Sequence, residues 1–163
     1  MATQYQNFPD YDPNIVPDAS AMRFVIIVSE WNPSITEKLK EGACNTLIKY
    51  GVKIENIHVV YVPGSFELIY VTRRIVGSVK PDAAIGLGCV IRGDTPHFEY
   101  VCSGVTQGFA RLNAEGDIPC VFGLLTTDNL QQAIDRSGGK YGNKVDEYAI
   151  TAIKMAHLAN TFK

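Results

Sequence analysis

The chain has 163 residues, the length of one domain, and its 15 Lys and Arg against 17 Asp and Glu give a formal net charge of −2. This near-balance excludes a general nucleic-acid or polybasic membrane surface, because both need an excess of basic residues. Hydrophobic residues make up 46% of the chain and charged residues 20%, which is typical of a globular protein. Apolar runs such as 83–91 are far shorter than the roughly 18 residues of a membrane-spanning helix.

Residues 1–21 are predicted to form an extended N-terminal arm, followed by a single domain at 22–163. Pro9, Pro13 and Pro17 interrupt the arm. Its aromatic and β-branched residues could anchor it on another surface, such as a second subunit, and a frayed tail is the alternative. The N-terminus has no basic start followed by an apolar stretch, so no secretory signal is indicated and we expect a cytoplasmic protein.

Apolar runs of strand length alternate with helical patterns along the domain. In chain order the pattern predicts a strand at 22–29, a helix at 32–50, a strand at 57–62, a helix at 66–76, a strand at 83–91, a helix at 97–114, a strand at 118–126, a short helix at 129–136, a glycine-rich break and a final helix at 144–161. Strands that are apolar throughout and separated by helices are typical of a parallel sheet covered on both faces. The sequence therefore predicts one α/β domain.

The start and the end of the first helix carry local signals. Asn32 has the residue type of an N-cap, and Pro33 suits the first helical position. Gly51 follows the last residue of the apolar stripe and ends the helix.

No metal or redox site is predicted. None of the four cysteines belongs to a C-x-x-C pair, and we interpret them as small, reduced core residues: Cys44, Cys89, Cys102 and Cys120. The three histidines are too scattered for a metal motif. Gly86-x-Gly88 lacks the third glycine of a dinucleotide fingerprint, and no P-loop or nucleophile elbow is present.

In a sheet of this kind, ligands bind at the carboxyl ends of the strands. The segment 93–97 after the third strand has the strongest chemical signal. Its glycine turn leads into a helix start with free backbone N–H groups, and Thr95 adds a hydroxyl, which suits a phosphate group. His97 stands beside that anion as a candidate acid or base. Alternatively, Thr95 only caps the helix and His97 is a surface residue.

A second cation and three aromatic residues also lie near strand ends. Arg136 precedes a glycine pair and could bind phosphate through its guanidinium fork, or could be no more than a favourable charge at a helix C-terminus. Trp31, Phe66 and Phe122 could enclose a flat heterocycle, although aromatics in such places are usually core residues. Glu67 stands at a helix start, where a carboxylate is ordinary.

Five segments of the chain together resemble the lumazine synthase family. They occur in the family's order and with its separations: SEWN (29–32), VPGSFEL (62–68), LGCVIRGDTPHFEYVC (87–102), PCVFGLLTT (119–127) and QQAIDRSGGKYGNK (131–144). The resemblance covers the chain from about residue 14 to its C-terminus. The combination of the histidine segment with the R-x-G-x-K-x-G-N-K segment is highly specific.

The resemblance implies a 6,7-dimethyl-8-ribityllumazine synthase, a transferase of riboflavin biosynthesis. Such an enzyme condenses 5-amino-6-(D-ribitylamino)uracil with 3,4-dihydroxy-2-butanone 4-phosphate in the penultimate step, and releases phosphate and water. It uses no metal or organic cofactor. The implied fold is a flavodoxin-like three-layer α/β/α sandwich around a four-stranded parallel sheet.

The resemblance also implies roles for individual residues of the aminouracil site. Trp31 matches the aromatic residue that stacks on the pyrimidine ring. The segment that holds the pyrimidine and the ribityl chain is matched by Ser65, Phe66 and Glu67, and the strand end whose backbone contacts the heterocycle is matched by Cys89, Val90 and Ile91. Phe122 matches a residue that a neighbouring subunit contributes.

The phosphate side and the proton-transfer group are implied in the same way. Asp94 and Thr95 match the phosphate loop, and His97 matches the general acid or base. Arg136 matches a phosphate-binding residue from the neighbouring subunit. Lys144 matches a lysine near the site, with a less defined role.

Two positions depart from the family pattern. Asp94 replaces a small residue, and its carboxylate would repel the phosphate unless the side chain points to solvent. Val145 replaces a glycine, and because valine does not easily take a positive φ, we expect a different start of the last helix and a displaced Lys144.

The resemblance implies at least a pentamer, because the sites are shared between subunits. No insertion interrupts 138–144, which favours the icosahedral shell of sixty chains. In such a shell the N-terminal arm would lie on a neighbouring subunit. Riboflavin synthase is a candidate partner, and neither nucleic acid nor a membrane is expected. Three other classes stay open: a flavin- or lumazine-binding module without turnover, a shell protein that has lost catalysis, and a flavodoxin-type electron carrier.

Overall fold

The computed structural model describes residues 15–162, so most of the predicted arm lies outside the described residues. The elements in chain order are β1 (Phe24–Ser29), α1 (Pro33–Lys49), a 3₁₀ turn (Ile54–Asn56), β2 (Ile57–Val62), α2 (Leu68–Val79), β3 (Ala83–Ile91), α3 (His97–Glu115), β4 (Cys120–Thr127), α4 (Leu130–Arg136), β5 (Ser137–Gly139), β6 (Gly142–Asn143) and α5 (Val145–Asn160). The predicted alternation of strands and helices is confirmed.

The first four strands form one parallel sheet in the order β2-β1-β3-β4. This order, with helices on both faces, is the flavodoxin-like arrangement. The order reverses between β1 and β3, because the chain passes from β1 to one side of the sheet and from β3 to the other. A crevice opens at such a reversal, outside the carboxyl ends of the two strands.

The two faces of the sheet are covered by different helices. Alternate residues of β1 divide between two apolar clusters: Ile26 packs with residues of α1 and α5, and Ile27 packs with residues of α2 and α3. All six residues of β1 are buried, as expected for a strand covered on both faces. The result is the predicted three-layer sandwich.

The predicted boundaries of the helices and of the four sheet strands lie within three residues of the observed ones, and those of β2 and β3 coincide with them. β1 begins at Phe24 and not at Met22, because Arg23 is engaged by Asp82: the Arg23 N–H donates to Asp82 Oδ2 at 2.8 Å, and the Asp82 N–H donates to the Arg23 carbonyl at 2.8 Å. α2 begins at Leu68, so Phe66 and Glu67 lie in the turn before the helix.

The predicted glycine-rich break after α4 contains a short antiparallel hairpin of β5 and β6. Gly138 and Gly142 have φ values of 107° and 70°, a left-handed conformation that glycine adopts without steric cost. The sequence indicated the break but not the strand pairing.

Residues 15–21 pack partly against their own chain. Ala19 is fully buried and donates its N–H to the Tyr50 carbonyl at 3.1 Å, and Val16 belongs to the same apolar cluster as α1. Among residues 15–162, no helix has both the length and the apolarity that a bilayer crossing requires.

Candidate active site

The carboxyl ends of all four parallel strands lie at one edge of the sheet. The last residues of β1 and β2 pair with each other, Ser29 with Val62, and the last residues of β3 and β4 pair likewise, Ile91 with Thr127. The segments predicted to carry chemistry leave the sheet at this edge. The Oγ1 atom of Thr127 is buried there without a hydrogen-bond partner in the described part of the chain.

The loop after β1 presents Trp31 to solvent. The indole is 70% exposed, so Trp31 is not a core aromatic in this chain. Asn32 holds the predicted N-cap position of α1, but its side chain makes no capping hydrogen bond. Its Nδ2 atom donates instead to the Cys89 carbonyl on β3 at 3.0 Å.

The turn after β2 lies over β3 and α3. Ser65 is buried, and a Cβ atom at Gly88 of β3 would stand 2.7 Å from Ser65 Oγ. Phe66 lies against α3, because a Cβ atom at Gly104 would stand 2.7 Å from Phe66 Cε2. The ring is nevertheless 54% exposed, which leaves one face for a ligand. Glu67 is exposed beside it.

The end of β3 provides a half-buried floor. Cys89 is buried, and burial raises the pKa of its thiol to about 11, so the thiol stays protonated at neutral pH. Val90 and Ile91 are half-buried. All four cysteines are unpaired, as predicted, but only Cys89 and Cys120 are buried core residues, whereas Cys44 and Cys102 are half-buried.

The segment between β3 and α3 is exposed along its whole length, including Asp94, Thr95 and His97. Pro96 holds the N-cap position of α3 and no side chain caps the helix. The alternative in which Thr95 only caps the helix is therefore wrong, and its hydroxyl is free to contact an anion. Asp94 is exposed as well.

Arg92, which the sequence analysis did not identify, joins the loop after β3 to the first turn of α3 and to the loop after β4. Its guanidinium pairs with Glu99 in the first turn of α3 and with Asp128 after β4, the latter at 3.0 Å, and it stacks on the Phe98 ring at 4.2 Å. These contacts raise the pKa of Arg92 and lower that of Glu99. Glu99 follows Arg92 closely in the sequence, but nothing local points to Asp128.

Phe122 and Arg136 lie apart from this group. Phe122 is opposite Gly86 in the β3–β4 ladder, three residues before Cys89, and its half-buried ring packs edge-on against Phe109 at 5.7 Å. The contacts of Arg136 include its own helix, through a 3.1 Å bond to the Gln132 carbonyl, and the ring of Tyr141 at 5.5 Å.

Lys144 contacts Arg136. Its N–H donates to the Arg136 carbonyl at 2.9 Å, and its Nζ forms a nearly buried ion pair with Glu147 at 2.7 Å. Tyr148, one residue on, packs beside Gly123 of β4. Burial and the charge of Glu147 raise the pKa of Tyr148 to about 12, although Arg136 opposes them. The three-residue spacing of Lys144 and Glu147 is typical of an ion pair on a helix, so this contact could have been predicted from the sequence.

Val145 begins α5 and is fully buried. Its φ lies outside the left-handed region, so valine meets no strain at this place. The space for its side chain comes from α1: a Cβ atom at Gly42 would stand 2.6 Å from Val145 Cγ1.

The structure thus brings Trp31, Ser65–Glu67, Cys89–Ile91 and Asp94–His97 to one edge of the sheet. Arg136 and Lys144 form a second group where α4 meets α5, and Phe122 packs separately against Phe109 of α3. No set of three or more His, Cys, Asp and Glu side chains within residues 15–162 is arranged to hold a metal ion.

Comparison with known proteins assigns the family. A family model described as 6,7-dimethyl-8-ribityllumazine synthase matches residues 21–160. Proteins named 6,7-dimethyl-8-ribityllumazine synthase are similar over nearly their whole length: that of Parabacteroides distasonis is 64% identical over 98% of this chain and 99% of its own. Those of Phocaeicola vulgatus (62%, covering 95% and 92%) and Porphyromonas gingivalis (52%, covering 97% and 98%) are also similar. The chain belongs to the 6,7-dimethyl-8-ribityllumazine synthase family.

Proposed function

We propose that this chain catalyses the formation of 6,7-dimethyl-8-ribityllumazine from 5-amino-6-(D-ribitylamino)uracil and 3,4-dihydroxy-2-butanone 4-phosphate. The observation that carries the proposal is the identity of 64% with a protein of that name, extending over 98% of this chain. The placement of Trp31, Phe66 and the segment 93–97 at one edge of the sheet supports it.

The aminouracil would bind between the exposed rings and the end of β3. Trp31 and Phe66 have free faces for stacking on a flat heterocycle, and the backbone of Cys89–Ile91 offers hydrogen-bonding groups to its edge. Glu67, which is exposed at the same edge, would accept hydrogen bonds from the ribityl hydroxyls. The buried Ser65 would fix the turn that carries Phe66 and Glu67.

The butanone phosphate would bind on the backbone N–H groups of 93–97 and the Thr95 hydroxyl. These donors stand at the start of α3, where the helix dipole favours an anion. Arg136 of an adjacent subunit would supply the full positive charge, since its own chain places it in the second group.

In the proposed reaction, the 5-amino group attacks the ketone of the butanone, and the carbinolamine loses water to give an imine. A proton then moves from the adjacent carbon to give the enol, which expels phosphate, the chain rotates, and closure onto the ribitylamino nitrogen expels a second water. Holding two substrates together provides most of the acceleration, at most about 7–11 kcal/mol. His97 would transfer protons between the nitrogen, oxygen and carbon atoms involved.

A direct turnover assay tests the proposal. Purified chain is mixed with both substrates, and the fluorescent lumazine is followed against the slow uncatalysed reaction. Acceleration well above that background supports the enzyme. Uracil binding without acceleration would favour the binding module, and a shell without either would favour the structural protein. The third class, the electron carrier, fits poorly, because its phosphate loop should follow β1.

Replacing His97 by alanine should lower kcat more than it changes either KM. Because His97 is exposed in its own chain and water can replace it in part, we expect a loss of roughly 10–100-fold, at or below the lower end of general acid–base effects. The matched control is His157→Ala, which removes another exposed histidine, on α5. An unchanged kcat in the His97 variant would contradict the assignment.

Replacing Arg136 by alanine should weaken the two substrates unequally. A lost charge-assisted contact to phosphate corresponds to a rise of about 10–100-fold in the KM of the butanone phosphate. The KM of the uracil should stay within about threefold, since no ribityl or pyrimidine contact is assigned to this residue. Equal losses for both substrates in steady-state kinetics would exclude the phosphate role.

Replacing Gly104 by alanine should displace the Phe66 ring and raise the Kd of the uracil by roughly three- to tenfold. Gly108→Ala is the matched control, because it lies one turn further along α3 and its Cβ would stand 2.5 Å from Ile69 Cδ1, not from a site residue. Both changes add the same methyl group and the same helix propensity. Similar uracil affinities in the two variants, measured by calorimetry, would argue against a role for Phe66 in binding.

We also propose that the active form is at least a pentamer, and that sixty chains form an icosahedral shell on which the N-terminal arm, residues 1–21, lies on a neighbour. The separation of Phe122 and Arg136 from the first group supports a site shared between chains. Light scattering should give the mass of a shell, and a pentamer's mass would refute the shell while leaving the enzyme intact.

The unpaired cysteines support a reducing compartment, the cytoplasm. An interaction with riboflavin synthase stays a prediction.

A further inference from the structure

We propose that Asn32 is a positioning residue: its side-chain amide, bonded to the end of β3, holds the Trp31 indole in the orientation that the aminouracil requires. The proposal rests on the proposed function for the identity of the ligand. The orientation of Trp31 in the free protein does not depend on the ligand and can be measured in its absence.

The backbone of Asn32 sets the direction in which the loop turns. Its φ and ψ are 60° and 56°, and Lys80 is the only other non-glycine residue among the described ones with a left-handed φ. Left-handed backbone is uncommon outside glycine, and asparagine is one of the few residues that tolerate it. Because Asn32 directly follows Trp31, this turn sets the course of the chain from Trp31 into α1.

The side chain of Asn32 is engaged away from its own helix. A residue at this position ordinarily accepts a hydrogen bond from the first turn of the helix, yet Asn32 Nδ2 donates to the Cys89 carbonyl on β3 at 3.0 Å. The last β1–β3 pair is Val28 with Leu87. The bond therefore joins the two strands beyond their ladder, at the point where the strand order reverses.

A second anchor holds the other side of the same loop. The Glu30 N–H donates to the Val62 carbonyl at the end of β2 at 2.8 Å, and the Trp31 N–H donates to Ser29 Oγ at 3.2 Å. The loop is thus tied to the strands on both sides of β1. Since the indole itself is largely exposed, its orientation before a ligand arrives depends on these anchors, and fixing it beforehand lowers the entropy cost of binding.

Two variants separate the amide from the backbone. Asn32→Gly keeps the left-handed turn at no steric cost but removes the amide. Asn32→Asp keeps the shape but places a carboxylate against the Cys89 carbonyl. Asn113→Ala is the control: it removes hydrogen bonds to the Phe109 and Cys120 backbone at the opposite end of the sheet.

Trp31 is the only tryptophan of the chain, so its fluorescence anisotropy in the assembled protein reports its local freedom. We expect a lower anisotropy in both Asn32 variants. We also expect about a tenfold higher Kd for 6-(D-ribitylamino)uracil, which lacks the attacking amine and cannot react, since one lost hydrogen bond corresponds to about that factor. The KM of the butanone phosphate and the values for Asn113→Ala should stay near wild type.

Wild-type anisotropy in Asn32→Gly would overturn the proposal, and so would wild-type affinity for the uracil combined with lower anisotropy. If Asn32→Asp does not fold, Asn32→Gly decides alone. Failure of the proposed function would look different: the unmodified chain would not turn over the substrates, whether or not it binds the uracil, while the anisotropy of the free protein would still test the role of Asn32.

Discussion

A parallel sheet that is covered on both faces is open only at its ends. In this chain the buried strands β1 and β3 lie side by side at the centre, and the helices that follow them cover opposite faces. Every strand-to-helix connection must therefore leave at the same edge, and the reversal of strand order opens a crevice there. The chemistry-bearing segments gather at this edge because the topology gives them no other place.

Glycines on the neighbouring elements allow these segments to come close. Gly88 of β3 leaves the space that Ser65 fills, and Gly104 of α3 leaves the space that Phe66 fills. Each added methyl group would stand about 2.7 Å from the side chain above it, closer than carbon atoms pack. The turn after β2 thus packs against one glycine of β3 and one of α3. These two glycines allow Ser65 and Phe66 to take their places in the site.

The sequence predicted β2 and β3 to the residue, because an apolar run between turn signals is a local pattern. It failed where a distant partner competes with a local rule. Asn32 has the residue type of a helix cap, but its amide bonds to Cys89, which lies 57 residues away. The pairing of Arg92 with Asp128 and the hairpin of β5 and β6 also depend on residues that only the folded chain brings together. In the candidate site, the residues that follow β1, β2 and β3 could be placed at one edge of the sheet from the sequence. The place of Arg136 in the folded chain could not.

The separation of the two groups has a consequence for the energetics of the proposed enzyme. Phe122 lies on the edge strand β4, opposite Gly86, which is three residues before Cys89. The contacts of Arg136 include its own helix and the Tyr141 ring of the hairpin. In the proposed site, which takes Arg136 from a neighbour, the ligand would bind between two chains, and its binding free energy would also stabilise their association. By the same linkage, a chain that cannot associate would keep Trp31 and the segment 93–97 but would lack the Arg136 that the proposed phosphate site takes from a neighbour. Assembly would then be part of the active site itself.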